Sequence, residues 1–161
     1  MAGKVIQVNI SPGGVPKKPV FEGRLTVEGF EGDSWRHPEF HGGPLQAVLM
    51  VGMETLDELK AMGFSVFAGA LGENLTTEGL DYTALRAGAR LRAGDALIEI
   101  TKVRTPCDTL SVYGLGIQRE IYDARVKQGD FTSPRWGRSG FYAKVIETGA
   151  IRPNDIITVE P

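Results

Sequence analysis

The single cysteine of the chain, Cys107, is the side chain best suited to covalent or metal chemistry. One cysteine cannot form an internal disulfide or supply a multi-cysteine zinc site, so it is either a small buried residue or a working thiol. It follows Pro106, whose ring fixes its own φ and keeps Thr105 extended. The thiol is therefore expected to point in a defined direction, as the thiolate of a metal ligand must.

Two charged side chains stand close to this thiol in the sequence. Arg104 is a permanent positive charge that would favour the thiolate if it lies near the sulfur, whereas a nearby Asp108 would oppose it. The sequence does not decide between them. A thiolate is a soft ligand for a soft or sulfur-rich metal centre, and an accessible thiol is also what sulfur transfer needs. Both of these roles would depend on Cys107.

Two further segments could add binding groups to a site. Segment 11–19 contains paired glycines, which let backbone N–H groups approach a ligand, and Lys17 and Lys18 add positive charge, although a plain turn explains the same residues. Segment 71–81 contains Asn74, which either caps a turn or presents a donor and an acceptor to the edge of a heterocycle. Taken alone, the second segment favours the turn.

Both histidines, His37 and His41, fall in segment 32–44. Their spacing of four matches a helical metal pair, but Pro38 lies between them and lacks the N–H that a helix interior needs. A two-histidine metal clamp is therefore not expected. His41 either contacts a ligand or makes a structural hydrogen bond to the backbone. The candidate proton donors for a bound substrate are His41, Asp33 and Tyr113.

The elements that must position these residues are mostly short strands. Apolar runs cut by 21 glycines and nine prolines are typical of strands joined by tight turns. The predicted strands are residues 4–10, 24–27, 45–51, 89–91, 96–103, 141–147 and 156–160. Helical spacing of apolar residues predicts two short helices, over 53–62 and 117–124. Because the helices are too few to alternate with the strands, a mainly β barrel or sandwich is favoured over a doubly wound sheet.

Length and charge limit the classes of protein that this chain can represent. A chain of 161 residues is the size of one domain, and the closing turn and strand at 149–159 indicate that the domain spans residues 1–161. A net charge of −2 without long blocks of one sign argues against nucleic acid or an anionic membrane as a main partner. No apolar run reaches the length of a signal peptide or membrane span, which predicts a cytoplasmic protein that binds small molecules.

Five segments, taken in order, resemble the MOSC domain family, which is named for the C-terminal domain of molybdenum cofactor sulfurase. They are Gly-Gly-Val-Pro-Lys (13–17), Gly-Asp (32–33), His-Gly-Gly-Pro with Gln-Ala-Val (41–48), Gly-Glu-Asn-Leu-Thr (72–76) and Arg-Thr-Pro-Cys (104–107). The resemblance implies a compact β-barrel with a few short helices. It also implies a cysteine that either ligates the molybdenum of a pterin cofactor or carries sulfur as a persulfide. Cys107 occupies that cysteine's place.

The resemblance also implies how a molybdenum–pterin cofactor would be held. Its phosphate needs cations, and arginine can fork two hydrogen bonds to one phosphate. The candidate cofactor-binding residues are Lys17, Gly42, Gly43, Asn74, Arg104 and Arg138, although a solvated surface charge explains Arg138 as well. Pyridoxal phosphate is not expected, because the sequence has no counterpart of the fused lyase domain whose lysine binds it. A sulfur donor would then be a separate protein.

Three functions remain open at this level. One is a molybdenum-dependent reductase of small N-hydroxylated or similar compounds, which takes electrons from a redox partner protein. The reductase branch of the family carries a further helical segment after the barrel, and the sequence shows no counterpart of it before Pro161. The second is a sulfur carrier with a persulfide on Cys107, which delivers sulfur to cofactor assembly. The third is a module that stores or delivers the cofactor.

Overall fold

The structure is a computed structural model that describes residues 1–34 and 43–161, and β-strands dominate it. The strands within these residues are β1 (Ala2–Ile10), β2 (Lys18–Val20), β3 (Gly23–Thr26), β4 (Gly29–Phe30), β5 (Val48–Gly52), β6 (Leu75–Glu78), β7 (Arg90–Ala93), β8 (Ala96–Val103), β9 (Phe141–Glu147), β10 (Gly149–Ile151) and β11 (Ile156–Val159). The predicted mainly β fold is confirmed.

Seven of the strands form a closed barrel. The hydrogen-bonded order is β11-β7-β8-β9-β5-β6-β1, and the ring closes because β1 also pairs with β11. Pairing is parallel between β5 and β6 and antiparallel at the other junctions. Strand β2 extends the sheet along β1, and a separate three-stranded sheet has the order β10-β3-β4. The barrel predicted with a few short helices is thus confirmed.

The helices are short and lie between strands. Those in residues 1–34 and 43–161 are α1 (Met53–Ala61), α2 (Ile117–Ile121) and α3 (Ala124–Lys127), together with three 3-10 helices over Pro44–Gln46, Tyr82–Ala84 and Asp108–Tyr113. The helix predicted over 117–124 is therefore two helices. Tyr122 ends the first in extended backbone, and Asp123 caps the second by accepting a hydrogen bond from the Val126 N–H. Within the described residues, no helix is both long and apolar enough to cross a membrane.

Two further predicted elements differ from the structure. The turn expected in segment 71–81 contains β6, whose Thr76 and Thr77 are fully buried. Four residues that include two threonines give little apolar signal, and pairing with β5 and β1 stabilises the strand instead. The strand expected from residue 45 begins at Val48, because Pro44 starts a 3-10 helix.

The alternation of side chains along β5 and β9 separates the barrel interior from its outer wall. Met50 and Phe141 pack in the barrel core, whereas Val51 packs in a second apolar cluster with Leu56 and Leu59 of α1. Because neighbouring residues of a strand point to opposite faces, Leu49 and Tyr142 also face the outer wall. These two residues are directly paired across β5 and β9. The outer wall at this level is where the candidate site lies.

Candidate functional site

A cavity on the outer wall of the barrel collects four of the predicted site residues. It encloses about 620 Å³, including space that is open to solvent, and its lining includes Lys17, Asn74, Arg104 and Cys107. Lys17 and Asn74 directly precede β2 and β6, and Arg104 and Cys107 lie in the loop after β8. Much of the remaining lining is apolar, as is usual for sites that bind small molecules.

Cys107 presents its thiol to this cavity from a fixed backbone. The residue is half-buried and forms no disulfide. Its carbonyl oxygen accepts hydrogen bonds from Gln118 Nε2 at 3.1 Å and from the Leu110 N–H at 3.2 Å. Its Sγ lies 2.7 Å from Oγ1 of Thr109. The sulfur is therefore neither sealed in hydrocarbon nor carried on a loose segment.

Arg104 lines the same cavity and retains an unused hydrogen-bond donor. Its side chain is 4% exposed, and the guanidinium donates to the carbonyls of Leu71 (2.7 Å) and Ser139 (3.3 Å). Nε is buried and has no partner among the described residues. Leaving a buried donor unpaired costs about 1–3 kcal/mol, so this atom is well suited to a ligand acceptor. Asp108, in contrast, is exposed and does not line the cavity.

Lys17 and Asp33 form a buried ion pair beside the cavity. Nζ of Lys17 is 2.7 Å and 2.6 Å from the two carboxylate oxygens, and the side chains are 6% and 1% exposed. Burial lowers the pKa of Lys17 below its usual range, and the Asp33 carboxylate opposes that shift. Asp33 also accepts hydrogen bonds from the Ser11 N–H and the Asn74 amide. Both of its oxygens are thus occupied, and it does not line the cavity.

Asn74, which lines the cavity, uses its side-chain amide to join neighbouring strands. Its side-chain oxygen accepts from the Leu49 N–H at 3.0 Å, and its nitrogen donates to the Asn9 carbonyl at 3.2 Å. The same nitrogen donates to Asp33 at 2.8 Å. Both polar atoms of the Asn74 side chain therefore form hydrogen bonds within the protein, so this side chain has a structural role.

A fully buried carboxylate, Glu73, organises the loop that holds Arg104. Its oxygens accept hydrogen bonds from the Gly69 N–H (2.9 Å), the Leu71 N–H (3.1 Å) and the Thr76 hydroxyl (2.8 Å). Leu71 in turn accepts from Arg104. Gly69 has a φ of 94°, and a Cβ there would collide with the Lys17 carbonyl. Glycine at this position therefore lets the two loops touch.

Burial of Glu73 should make stability depend on pH. Desolvation raises the pKa of this carboxyl above its ordinary 4.5, although the hydrogen bonds from Gly69 and Thr76 oppose the shift. The native state therefore keeps the Glu73 proton to a higher pH than the unfolded state does. The stability that the protonated carboxyl contributes is complete below pH 4.5 and is lost as the pH rises above that value. We expect Glu73→Gln to be less stable than the unsubstituted protein by about 1–3 kcal/mol at low pH, with the difference shrinking as pH rises.

Equilibrium unfolding in urea over a series of pH values measures this effect. The matched control is Glu78→Gln, because Glu78 is exposed at the end of β6, which begins two residues after Glu73. This substitution should change stability by less than about 0.5 kcal/mol. A Glu73→Gln difference that grows with pH would contradict the assignment.

The other predicted site residues lie away from this cavity or outside the residues that the structure describes. Arg138 lines a second cavity, where it pairs with Glu58. Tyr113 packs in the second apolar cluster, and burial raises the pKa of its hydroxyl to about 12. Gly43 directly precedes the 3-10 helix at Pro44–Gln46. His41 and Gly42 fall outside the described residues.

Several lining residues were not singled out from the sequence, among them Thr109, Gln46 and Tyr142. Thr109 contacts the sulfur, and Gln46 contributes a buried Oε1 with no partner among the described residues. Tyr142 is buried, and desolvation is the main cause that raises the pKa of its hydroxyl. The charge of Arg104 lowers this pKa, and the charge of Cys107 raises it. No local pattern marks Thr109 or Tyr142. The place of Gln46 within the family segment 41–48 was the available signal.

Comparison with known proteins identifies the class of protein that this barrel and site represent. The family model described as the MOSC domain matches residues 37–158. The chain therefore belongs to the MOSC domain family, and the predicted family is confirmed.

Two curated proteins are similar in sequence to this chain. The uncharacterized protein YflK of Bacillus subtilis (strain 168) is 31% identical over 144 residues, which cover 87% of this chain and 60% of YflK. The protein YiiM of Escherichia coli (strain K12) is 32% identical over 132 residues, which cover 79% of this chain and 54% of YiiM. The chain thus spans little more than half the length of these relatives.

The solved structures support the fold alone. The YuaD protein from Bacillus subtilis superposes with a TM-score of 0.71 at 22% identity, covering 98% of this chain and 94% of that chain. YiiM from Geobacillus stearothermophilus superposes with a TM-score of 0.70 at 22% identity, covering 99% of this chain and 75% of that chain.

Proposed function

We propose that this protein binds a molybdenum–pterin cofactor with Cys107 as a metal ligand and reduces small N-hydroxylated or similar compounds. The observation that carries the proposal is that the half-buried thiol of Cys107 and Arg104, whose buried Nε has no partner among the described residues, line the same cavity. When bound, such a cofactor supplies a redox-active metal that exchanges electrons with a substrate. A separate redox protein would supply the electrons.

The residues present fit such a cofactor. In the described parts of the chain, no group of three His, Cys, Asp or Glu side chains could hold a metal ion. A metal at Cys107 would therefore take its other ligands from a cofactor that carries its own sulfur atoms. The unpaired buried atoms Arg104 Nε and Gln46 Oε1 offer a donor and an acceptor to the organic part.

The geometry assigns different tasks to the two cations of the cavity. Arg104 has a spare donor, so it would bind an acceptor of the cofactor directly. Lys17 is already neutralised by Asp33, so it would contribute mainly a remaining N–H and little net charge. Leu49 and Leu71 would exclude water from one side of the cavity.

The same thiol supports a second candidate function. Cys107 could take the outer sulfur of a persulfide on a donor protein, which leaves the donor as a thiol, and pass that sulfur to cofactor assembly. The observation that favours this function is the half-buried Cys107 sulfur, which forms no disulfide and lines an open cavity. In this case Arg104 would stabilise the negative charge of the persulfide.

Elemental analysis distinguishes the two functions. The protein should be produced in a host that makes the molybdenum cofactor, and molybdenum and cyanide-releasable sulfur should be measured on the same sample. We expect molybdenum approaching one atom per chain without labile sulfur, together with reduction of hydroxylamine-type compounds by a chemical reductant. Labile sulfur without molybdenum would contradict the proposal and favour the carrier, and metal without turnover would indicate storage.

A further inference from the structure

We propose that Thr109 is a positioning residue that acts through the Cys107 sulfur, with its hydroxyl donating a hydrogen bond to that sulfur. This inference rests on the proposed use of Cys107 as the working sulfur. The bond directs the sulfur into the cavity and draws electron density away from it. Thr109 would thereby restrain the nucleophilicity of the sulfur.

The direction of the hydrogen bond follows from the chemistry of the two groups. Thr109 Oγ1 and Cys107 Sγ are 2.7 Å apart, and in a neutral thiol either atom could donate. An ionised or metal-bound sulfur has no hydrogen, so in that state the hydroxyl must be the donor. A hydrogen bond to a charged acceptor is stronger than one between neutral groups. The contact is therefore strongest in the form of the sulfur that the proposed function uses.

The backbone holds the two side chains in this arrangement. Gln118 and the Leu110 N–H both donate to the Cys107 carbonyl, which fixes the start of the 3-10 helix at Asp108–Tyr113. Thr109 lies within that helix, and its β-branched side chain has few rotamers. The sulfur–oxygen contact is thus built into the turn.

Independent features of the cavity indicate that a ligand meets this sulfur. Arg104 is more than nine-tenths buried, yet its Nε has no partner among the described residues. Arg104 and Tyr142 line the cavity together with the sulfur, whereas Asp108 is exposed and Lys17 is paired. Thr109 adds a neutral donor that contacts the sulfur itself.

Alkylation of the cofactor-free protein by iodoacetamide tests this inference. Rates should be measured at high pH, where they have stopped rising for every variant, so that they compare the reactivity of fully ionised sulfur. We expect Thr109→Ala to react about three- to tenfold faster than the unsubstituted protein, because the sulfur loses a hydrogen-bond donor. Thr109→Ser, which keeps the hydroxyl, should react within about twofold of the original rate.

The matched control is Thr105→Ala. Thr105 also lies two residues from Cys107, but its hydroxyl contacts Tyr122 at 3.3 Å. Its substitution should leave the rate unchanged. Equal or slower alkylation of Thr109→Ala, or a serine variant that behaves like the alanine variant, would overturn the inference. Since no metal takes part, such a failure is distinct from failure of the proposed function, which the molybdenum content reports.

Discussion

Cys107→Ser should retain almost no molybdenum, with metal content falling more than about tenfold relative to the unsubstituted protein. A serine hydroxyl is a hard, neutral ligand at physiological pH and cannot replace a soft thiolate. The fold should survive, because Cys107 is half-buried on a loop and the new hydroxyl can still reach Thr109. Stability should change by less than about 1 kcal/mol. Elemental analysis and equilibrium unfolding of the purified variant measure the two effects.

Asp108→Asn is the matched control for this prediction. It changes the next residue, which is exposed and does not line the cavity, so metal content should remain at the original level. If Cys107→Ser retained both the original metal content and the original content of cyanide-releasable sulfur, the metal-ligand and carrier functions would both be excluded.

Asp33→Ala should cause the largest loss of stability, about 3–5 kcal/mol, because it leaves a buried ammonium without its counter-ion. Lys17 and Asp33 are almost completely buried, and the same carboxylate also satisfies the Ser11 N–H and the Asn74 amide. All three donors lose their partner together. Equilibrium unfolding in urea or guanidinium chloride at neutral pH measures this loss.

The loss in Asp33→Ala should shrink as the pH rises. Burial already lowers the pKa of Lys17 below its ordinary 10.5, and removal of Asp33 takes away the main opposing influence. The native state then binds fewer protons than the unfolded state below pH 10.5, so its stability increases with pH through this range.

An exposed ion pair provides the comparison for this prediction. Glu22 pairs with Arg24 and Arg152 at the surface, where solvent screens the charges. Glu22→Ala should therefore cost less than about 1 kcal/mol. A similar small cost for Asp33→Ala would show that the Lys17 ammonium reaches solvent, in contrast to the buried pair described above. Lys17→Met combined with Asp33→Leu should recover part of the stability, because no unpaired charge remains.

Two residues near the cavity make structural hydrogen bonds, although the sequence predicted Asn74 as a binding group and Asp33 as a proton donor. Asn74 joins strands, and Asp33 neutralises Lys17. Arg104 keeps a spare donor at the cavity. These differences in hydrogen-bond use concentrate the proposed ligand contacts on Cys107 and Arg104.

Much of the fold could be predicted from local patterns. Short apolar runs between glycines predicted strands such as β8 and β9, and apolar spacing predicted α1. Strand β6 was missed because its stability comes from pairing with β5 and β1, which its own four residues do not encode. Closure into a barrel rested on the family resemblance, since the β1–β11 pairing joins the two ends of the chain.

The sequence by itself determined that there is one thiol, that a proline precedes it, and that an arginine stands three residues before it. These are local facts, and they were enough to select Cys107 and Arg104. Tertiary structure decided which polar atoms already have hydrogen-bond partners within the protein. The contacts of Asp33 with Lys17 and Asn74 span 16 and 41 residues, and no local pattern encodes pairings at such separations. Folding therefore determines which of the candidate side chains keep a free donor for a ligand.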